Sequence, residues 1–189
     1  LNDSPGFMRY FAKLRRPESI PQARAAAYRA LFMRYLSGYR QPHFIGQDSP
    51  ELTRSNLLAN IRELEAGIGD AHPRVRLEAI HCLRALHTAE ATEAALKALD
   101  REVDENLDFA LWQTCSDTQD VWLPAFAKGE ITFGGNFKPV VFALKATGNP
   151  GALQPLVAAL RDGKITAGDR PAVVQLIGQM GGPAELGLL

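Results

Sequence analysis

The residues of this chain that could carry acid–base or metal chemistry are four histidines and two cysteines: His43, His72, His81, His87, Cys82 and Cys115. No histidine stands in an HExxH pattern or beside a pair of cysteines, which are common zinc arrangements. His81 and Cys82 are adjacent, so on a helix they point in different directions and make a poor chelate. No serine-hydrolase elbow, P-loop or dinucleotide fingerprint is present. We therefore predict no catalytic, cofactor-binding or metal-ligating residue in this chain.

Both cysteines fall inside predicted helices with apolar neighbours, at similar places in successive segments. A free cysteine in such a setting behaves as a small buried hydrophobe. A disulfide between Cys82 and Cys115 stays open as the alternative, because sequence does not show the geometry that a bridge requires. The cysteines therefore do not fix the redox compartment.

A glycine-rich loop at Phe133, Gly134, Gly135 and Asn136 is the best candidate for a special backbone shape. Two glycines could cradle an anion at the start of the following helix, whose N-terminus favours negative charge. The alternative is a tight connector in which Phe133 fills a gap between helices. We favour the connector and keep Phe133 and Asn136 as candidate partner-surface residues.

The two tryptophans, Trp112 and Trp122, flank Asp117 and Asp120. Tryptophan is a favoured anchor at interfaces, and it also fills irregular gaps between helices. Residues 101–130 hold two basic and seven acidic residues, which predicts an exposed acidic patch. Packing is the favoured role of both rings, and Trp122 is kept as a partner-surface candidate.

Charge is distributed unevenly, although the net charge of the 189 residues is zero. Residues 1–42 carry eight Lys/Arg and two Asp/Glu, so the remainder is acidic. Such asymmetry can indicate an acidic partner, but docking of one part of the chain on another, or plain solvation of arginines on a helix, is the favoured interpretation. Arg24, Arg29 and Arg34 are the candidate partner-surface residues here. Nucleic acid is not expected as a partner, because no recognised motif accompanies the basic segment.

Composition is that of a soluble globular protein, with 46% hydrophobic and 22% charged residues. No apolar run approaches the roughly 20 residues that a membrane span needs. The sequence begins at Leu1 without Met and ends at Leu189 within a helical pattern. These features predict a piece of a longer protein.

The elements that would position these residues come from an internal repeat. Gly129 and Gly163 open similar stretches 34 residues apart, and Gly148 and Gly181 close them 33 residues apart. A repeat of this length, rich in Leu and Ala, is typical of stacked helix pairs. Equivalent apolar positions recur at four sites, each followed four residues later by another apolar residue: Val75/Ala79, Leu107/Leu111, Val140/Leu144 and Val173/Ile177.

The segment 72–100 resembles a HEAT repeat, with a proline, then Val-Arg, then Ala and Leu at helical spacing. Ala79 would let two helices approach closely, and Arg76 could reach carbonyls or acidic groups of the adjoining turn. The sequence predicts an all-α fold, a HEAT-like α-α superhelix that is a right-handed solenoid of antiparallel helix pairs. Residues 70–189 would form about four repeats, the last one truncated.

Residues 1–69 would form divergent N-terminal helices of the same array. Helices are predicted over about 6–15, from Pro21 to about Leu36, and from Pro50 with Ser49 as its cap. A loop is expected over 38–46, and Gly67 and Gly69 would end the third helix. The close-packing stripe of the second helix is predicted to be Ala26, Ala30, Met33 and Ser37.

Five segments together resemble a more specific family. They are HPRVRLEA at 72–79, LDFALWQT at 107–114, VWLPAF at 121–126, GEITFGGN at 129–136 and FALKA at 142–146. Their order is similar to the HEAT-repeat segment of large secreted proteins of planctomycetes and verrucomicrobia, labelled PVC-type haem-binding CxxCH proteins or membrane-bound dehydrogenases. The resemblance spans about 70–189.

In that family a sugar-dehydrogenase-like propeller precedes the repeats and a c-type cytochrome domain follows them. The resemblance therefore implies an exported or periplasmic setting, with haem c elsewhere in the parent protein. This chain has no CxxCH, so no haem ligand is carried over. The expected function is a non-catalytic helical-repeat scaffold that spaces and docks redox domains. The alternative is a free-standing HEAT-repeat adaptor that binds a protein or peptide in its concave groove.

Overall fold

The computed structural model describes residues 5–39, 50–148, 153–183 and 187. Throughout these residues the chain is helical and contains no strand, so the predicted all-α class is confirmed. The ten α-helices of the described part are α1 (Pro5–Leu14), α2 (Pro21–Tyr39), α3 (Pro50–Ile68), α4 (Pro73–Leu86), α5 (Ala89–Leu96), α6 (Glu105–Asp117), α7 (Gln119–Lys128), α8 (Phe137–Thr147), α9 (Gln154–Arg161) and α10 (Arg170–Met180). Short 3₁₀ turns occur at Lys97–Asp100 and Phe133–Gly135.

Local chemistry explains where several helices begin. Proline opens α2, α3 and α4, where its missing N–H would have no intrahelical partner. Side-chain caps begin the next helices, because Thr88 accepts the N–H of Ala91 and Asp104 accepts the N–H of Leu107. The short polar side chains of the connecting turns therefore divide the chain into short helices.

The helices pack in two rows. In the first row α2, α4, α6, α8 and α10 contact one another in chain order, and in the second row α3, α5, α7 and α9 do the same. The rows also contact each other, since α4 packs against both α3 and α5. From α2 to α10, each helix therefore lies against the next but one along the chain, whereas α1 packs on α2, and α2 and α3 join the same core as the later helices.

The core follows the spacing that the repeat predicts. Eight equivalent positions on the first row are each at most 1% exposed: Val75, Ala79, Leu107, Leu111, Val140, Leu144, Val173 and Ile177. On the second row, the inward residues predicted for α5 and its 3₁₀ turn are also buried, namely Ala91, Ala95, Leu96 and Leu99. Burial of these apolar side chains is the main favourable term that holds short helices together.

The predicted stripe on α2 is wrong. Ala26 and Met33 are exposed and Ala30 is partly exposed, whereas Ala27, Tyr28 and Leu31 are buried. The alanine and other apolar residues of α2 are distributed around its whole circumference, so the helix has almost no preferred apolar face. The buried face of α2 is instead set by its contacts with α3 and α4. The spacing of residues within α2 does not show these contacts.

Two predicted boundaries also differ. Helix α2 continues to Tyr39 rather than ending before Gly38, and Gly67 lies inside α3 rather than after it. The rest of the loop predicted at 38–46 and the cap at Ser49 lie outside the described residues. Gly67 does not end the helix. A glycine is needed at this position because two neighbouring helices come close to it.

That contact is a close approach of α3 to α2 and α4. A Cβ on Gly67 would lie 2.6 Å from Tyr28 Cζ on α2 and 2.8 Å from the Cβ of Ala79 on α4. Only a residue without a side chain fits at this distance. The predicted role of Ala79 as a close-contact residue is confirmed, because it is fully buried at this three-helix junction.

Candidate interaction surface

Arg24, a candidate surface residue, is buried against Asp70 rather than presented to solvent. Its Nε donates to Asp70 Oδ2 at 2.7 Å and its Nη2 donates to Asp70 Oδ1 at 2.9 Å. A further N–H donates to the Ser19 carbonyl. Burial alone would raise the pKa of Asp70, but the bonds from Arg24 and the His72 N–H hold the pKa below its ordinary value. Arg24 therefore joins the start of α2 to the turn after α3.

Arg29 makes a similar link to α4. Its Nη2 lies 2.5 Å from Glu78 Oε1, and Glu78 also pairs with Arg74 Nη2 at 2.9 Å. The Glu78 side chain is only 3% exposed, whereas the Arg29 side chain is 54% exposed. Arg29 thus covers a buried carboxylate from the solvent side. The side chain of Arg34 lies outside the described side chains.

Trp122 and Phe133 are buried and pack against each other. Their ring centroids are 6.1 Å apart in an edge-to-face arrangement, and Phe126 lies 5.7 Å from Phe133. The Trp122 Nε1–H donates to the Cys115 carbonyl at 2.8 Å, which satisfies its polar group inside the core. Both rings therefore fill the space between α7 and the loop before α8, and neither offers an accessible surface.

The residues just before the two glycines bind a carboxylate of the protein itself, rather than the glycines cradling an anion at the start of α8. Phe133, Gly134 and Gly135 all have positive φ, the left-handed region that favours glycine. The N–H groups of Thr132 and Phe133 donate to Glu93 Oε1 at 3.0 and 2.5 Å. Because the α5 carboxylate uses both donors, the loop works as a connector that ties α5 to α8.

Asn136 is exposed and caps α8, since its Oδ1 accepts the Lys138 N–H at 3.0 Å. It borders a cleft of about 480 Å³ that also contains Glu93, Lys97 and Asp100. Two of these three charged groups have internal partners, because Glu93 binds the loop and Lys97 pairs with Glu65 at 2.7 Å. The cleft therefore lacks a free set of convergent charges.

The histidines of the described residues have structural partners. His72 caps α4 through Nδ1, and His87 lies 3.0 Å from an Asp120 carboxylate oxygen. His81 contacts the Phe32 ring, and burial lowers the pKa of its imidazole. His43 lies outside the described residues. Over the ranges that the structure covers, no three His, Cys, Asp or Glu side chains converge to hold a metal ion.

Both cysteines are free and fully buried. Burial raises the pKa of the Cys115 thiol to about 12 and raises that of Cys82 above its ordinary value. The Cys82 Sγ–H also donates to the Tyr28 carbonyl at 3.0 Å. Thiols held protonated in this way are poor nucleophiles at neutral pH.

The most unusual surface feature is a pair of exposed aromatic rings on α6. Phe109 is 62% exposed and Trp112 is 46% exposed, and their rings stack with centroids 6.5 Å apart at an angle of 15°. Glu105 and Asp108 are exposed on the same side of the helix. These four residues follow the spacing of one helix face. We call them the aromatic face of α6.

This surface was not predicted from the sequence. Packing was the favoured role of both tryptophans, the buried Trp122 was kept as the surface candidate instead of Trp112, and Phe109 was assigned no role. The sequence did contain a sign that Phe109 is exposed. On a helix, Phe109 falls on the same face as Glu105 and Asp108, so it interrupts a face that would otherwise be polar. Of the five large exposed hydrophobic residues in the described part, the other three lie on or next to α1 and α2.

Comparisons with known proteins leave the family open, since no family model, curated protein or solved structure matches this chain. The resemblance to the repeat segment of haem-binding CxxCH proteins therefore stays a prediction. Among the described helices, none combines the length and apolar character needed to cross a bilayer.

Proposed function

We propose that this chain is a non-catalytic helical-repeat scaffold of the HEAT-like type, which presents an interaction surface to a protein partner. The observation that carries the proposal is the packing of each helix from α2 to α10 against the next but one, with equivalent positions buried in α4, α6, α8 and α10. Such nearest-neighbour packing is what a linear array of helix pairs requires.

Arg76 adds support for this architecture. Its side chain is 6% exposed and donates to the carbonyls of Asp70 and Ala71 at 3.1 and 3.2 Å, and to that of Glu102 at 2.9 Å. These carbonyls belong to the turns before α4 and before α6. One guanidinium therefore links successive turns of the array, as expected from the sequence position of the arginine.

The chemistry of the polar groups also favours a scaffold. The buried carboxylates and guanidiniums described above bind one another or backbone groups of the same chain. The side chains left for a partner include the exposed aromatic rings and carboxylates of α6. Exposed aromatic residues are enriched among the residues that carry binding energy in protein interfaces.

Hydrogen exchange in two truncation variants tests the array. Leu176→Ala in α10 removes a fully buried side chain at one end, and Leu83→Ala in α4 is the matched change nearer the other end. In a linear array, the first should reduce amide protection mainly in α9 and α10, and the second mainly in α2–α5. An equal loss of protection across all helices in both variants would show a single cooperative globule instead.

The proposal extends to a larger protein only through the sequence resemblance. We propose that the scaffold spaces a propeller and a c-type cytochrome domain of an exported or periplasmic parent, with haem bound outside this chain. The full reading frame tests this part, because a CxxCH downstream would support it. A haem stain of the full-length product without colour would remove the redox context and leave the adaptor role.

A further inference from the structure

We infer that the aromatic face of α6 binds an arginine-containing basic segment of a partner protein. The inference deepens the proposed scaffold function and rests on it, because it names the chemistry of the partner that the surface would take. The occupant is a basic peptide segment, rather than a membrane, a nucleic acid or a second copy of this chain.

Two stacked rings provide the apolar part of the site. Phe109 and Trp112 lie three residues apart on α6, so their positions are fixed by one rigid helix. Neither ring is inserted into the core, and each leaves about half or more of its surface exposed. A pre-positioned pair of aromatic faces can accept a planar cation with little loss of side-chain entropy.

Carboxylates beside the rings set the sign of the partner's charge. Glu105 precedes Phe109 by four residues and Asp108 precedes Trp112 by four, so each carboxylate lies one helical turn from an exposed ring. Within the described part of the chain, neither carboxylate is paired with a basic side chain. The wider segment 101–130 is acidic, with seven Asp/Glu against two Lys/Arg.

The edges of the surface show its direction. On the α4 side, Arg84 is already occupied, because it donates to the Gln113 side chain and lies 3.7 Å from Asp117. On the α8 side, the exposed Lys145 occupies the repeat position that corresponds to Trp112. The two helices beside α6 in the row thus each carry a basic side chain, Arg84 on α4 and Lys145 on α8. We therefore expect a basic segment to lie along the axis of α6.

Arginine is preferred over lysine by the shape of the site. A guanidinium is planar and weakly hydrated, stacks on aromatic rings and can pair with a carboxylate through two N–H groups at once. An ammonium group is a compact, strongly hydrated charge that gains less from a flat ring. A stacked ring pair with a carboxylate one turn away suits the planar cation.

Tryptophan fluorescence offers a direct test on the intact chain. Trp112 is exposed and Trp122 is buried, so a ligand on α6 should change the emission of only one of the two tryptophans. Nona-arginine is the probe, and nona-lysine and nona-glutamate are the comparison peptides. We expect nona-arginine to bind about two- to five-fold more tightly than nona-lysine, as a cation–π contribution at an exposed site implies. Nona-glutamate should not bind.

Variants localise the binding, with affinity measured by calorimetry so that the loss of Trp112 does not remove the signal. Phe109→Ala and Trp112→Ala should each weaken nona-arginine binding about ten-fold. Glu105→Gln with Asp108→Asn should weaken it several-fold and reduce its dependence on salt. Ile20→Ala, which removes an exposed apolar side chain far from α6 in sequence, is the matched control and should bind like the parent chain.

The contrary outcomes are distinct. If Trp112→Ala binds nona-arginine as tightly as the parent chain does, or if the arginine and lysine peptides bind with equal affinity, the proposed site is wrong. The binding would then be non-specific attraction between opposite charges. Sedimentation that shows a dimer of the parent chain and a monomer of Trp112→Ala would assign the face to a second copy. Absence of peptide binding together with end-localised loss of exchange protection in Leu176→Ala would overturn the partner while leaving the scaffold intact.

Discussion

The junction of α2 with α4 and the junction of α6 with α8 use different chemistry for the same packing task. At the first, Arg24 and Arg29 reach Asp70 and Glu78, and Gly67 allows three helices to meet. At the second, the buried side chains of both helices are apolar apart from Thr114, whose hydroxyl donates to the Ala110 carbonyl at 2.7 Å. One junction depends on paired charges, and the other depends on apolar complementarity.

One repeat position makes the difference concrete. Glu78 on α4 corresponds to Ala110 on α6 and Ala143 on α8, and all three are buried. An alanine there needs nothing except a neighbouring apolar surface, whereas a carboxylate needs cations to replace its lost hydration. Ion pairs therefore help to join α2 to α4 and to the turn after α3, and this junction should be more sensitive to substitution and to pH than the junction of α6 with α8.

The largest effect is expected from Ala79→Asp at the junction of α2, α3 and α4. The new carboxylate would be fully buried next to Gly67 and Tyr28, neither of which carries a positive charge. Burial of an unpaired charge costs several kcal/mol, so we expect a loss of at least about 4 kcal/mol in the free energy of unfolding. Thermal and urea denaturation followed by circular dichroism measure this loss.

Ala26→Asp is the matched control, because it makes the same change on the exposed side of α2. It should alter the free energy of unfolding by less than about 1 kcal/mol. Similar melting of the two variants would show that the helices do not meet at Ala79 as described.

The second effect concerns the Arg24–Asp70 ion pair and its dependence on pH. Asp70→Ala leaves the guanidinium of Arg24, whose side chain is 10% exposed, without its carboxylate. Removal of one partner of such a pair destabilises by about 3 kcal/mol near neutral pH. The pKa of Asp70 is lowered in the folded chain, so the ionised pair stabilises above the unfolded pKa of about 4.

That stabilisation is lost as the pH falls through the lowered folded pKa. Denaturation between pH 7 and pH 2 should therefore show that the parent chain and Asp70→Ala converge in stability at acid pH. Arg24→Met combined with Asp70→Ala should recover part of the loss at pH 7, because no charge is left unpaired. A constant difference between parent and variant at all pH values would mean that the pair is solvated and makes no net contribution.

The sequence predicted the regular part of the molecule better than the charged junction. Positions such as Val75, Leu111 and Val140 recur at fixed spacing, so their burial could be expected from periodicity alone. The prediction failed on α2, where Ala26 and Met33 were assigned to the contact face and are exposed. On α2, apolar residues occur around the whole helix, so their spacing does not identify the face that packs against α4.

The candidate surface was predicted less well for a related reason. Arg24, Trp122 and Phe133 were residues of the right type for a partner, and the fold uses all three internally. Whether a large side chain is buried depends on contacts with helices that are distant along the chain. The type of a single residue does not reveal those contacts. Trp112 and Trp122 are both tryptophans near aspartates in sequence, and only packing separates the exposed ring from the buried one.

The smallest effect is expected from glycine-to-alanine substitutions, which should have opposite signs at the α2–α4 junction and in α10, the last helix of the same row. Gly67→Ala would place a methyl group 2.6 Å from Tyr28 Cζ, so the helices must separate, at a cost of about 1–2 kcal/mol that exceeds the better helix propensity of alanine. Gly178→Ala in α10 meets nothing within 4 Å and should stabilise by about 0.5–1 kcal/mol. Urea denaturation of both variants measures the two changes. A stabilising Gly67→Ala would show that α3 does not approach Tyr28 and Ala79 closely, and the ion pairs would then have to hold the α2–α4 junction without that contact.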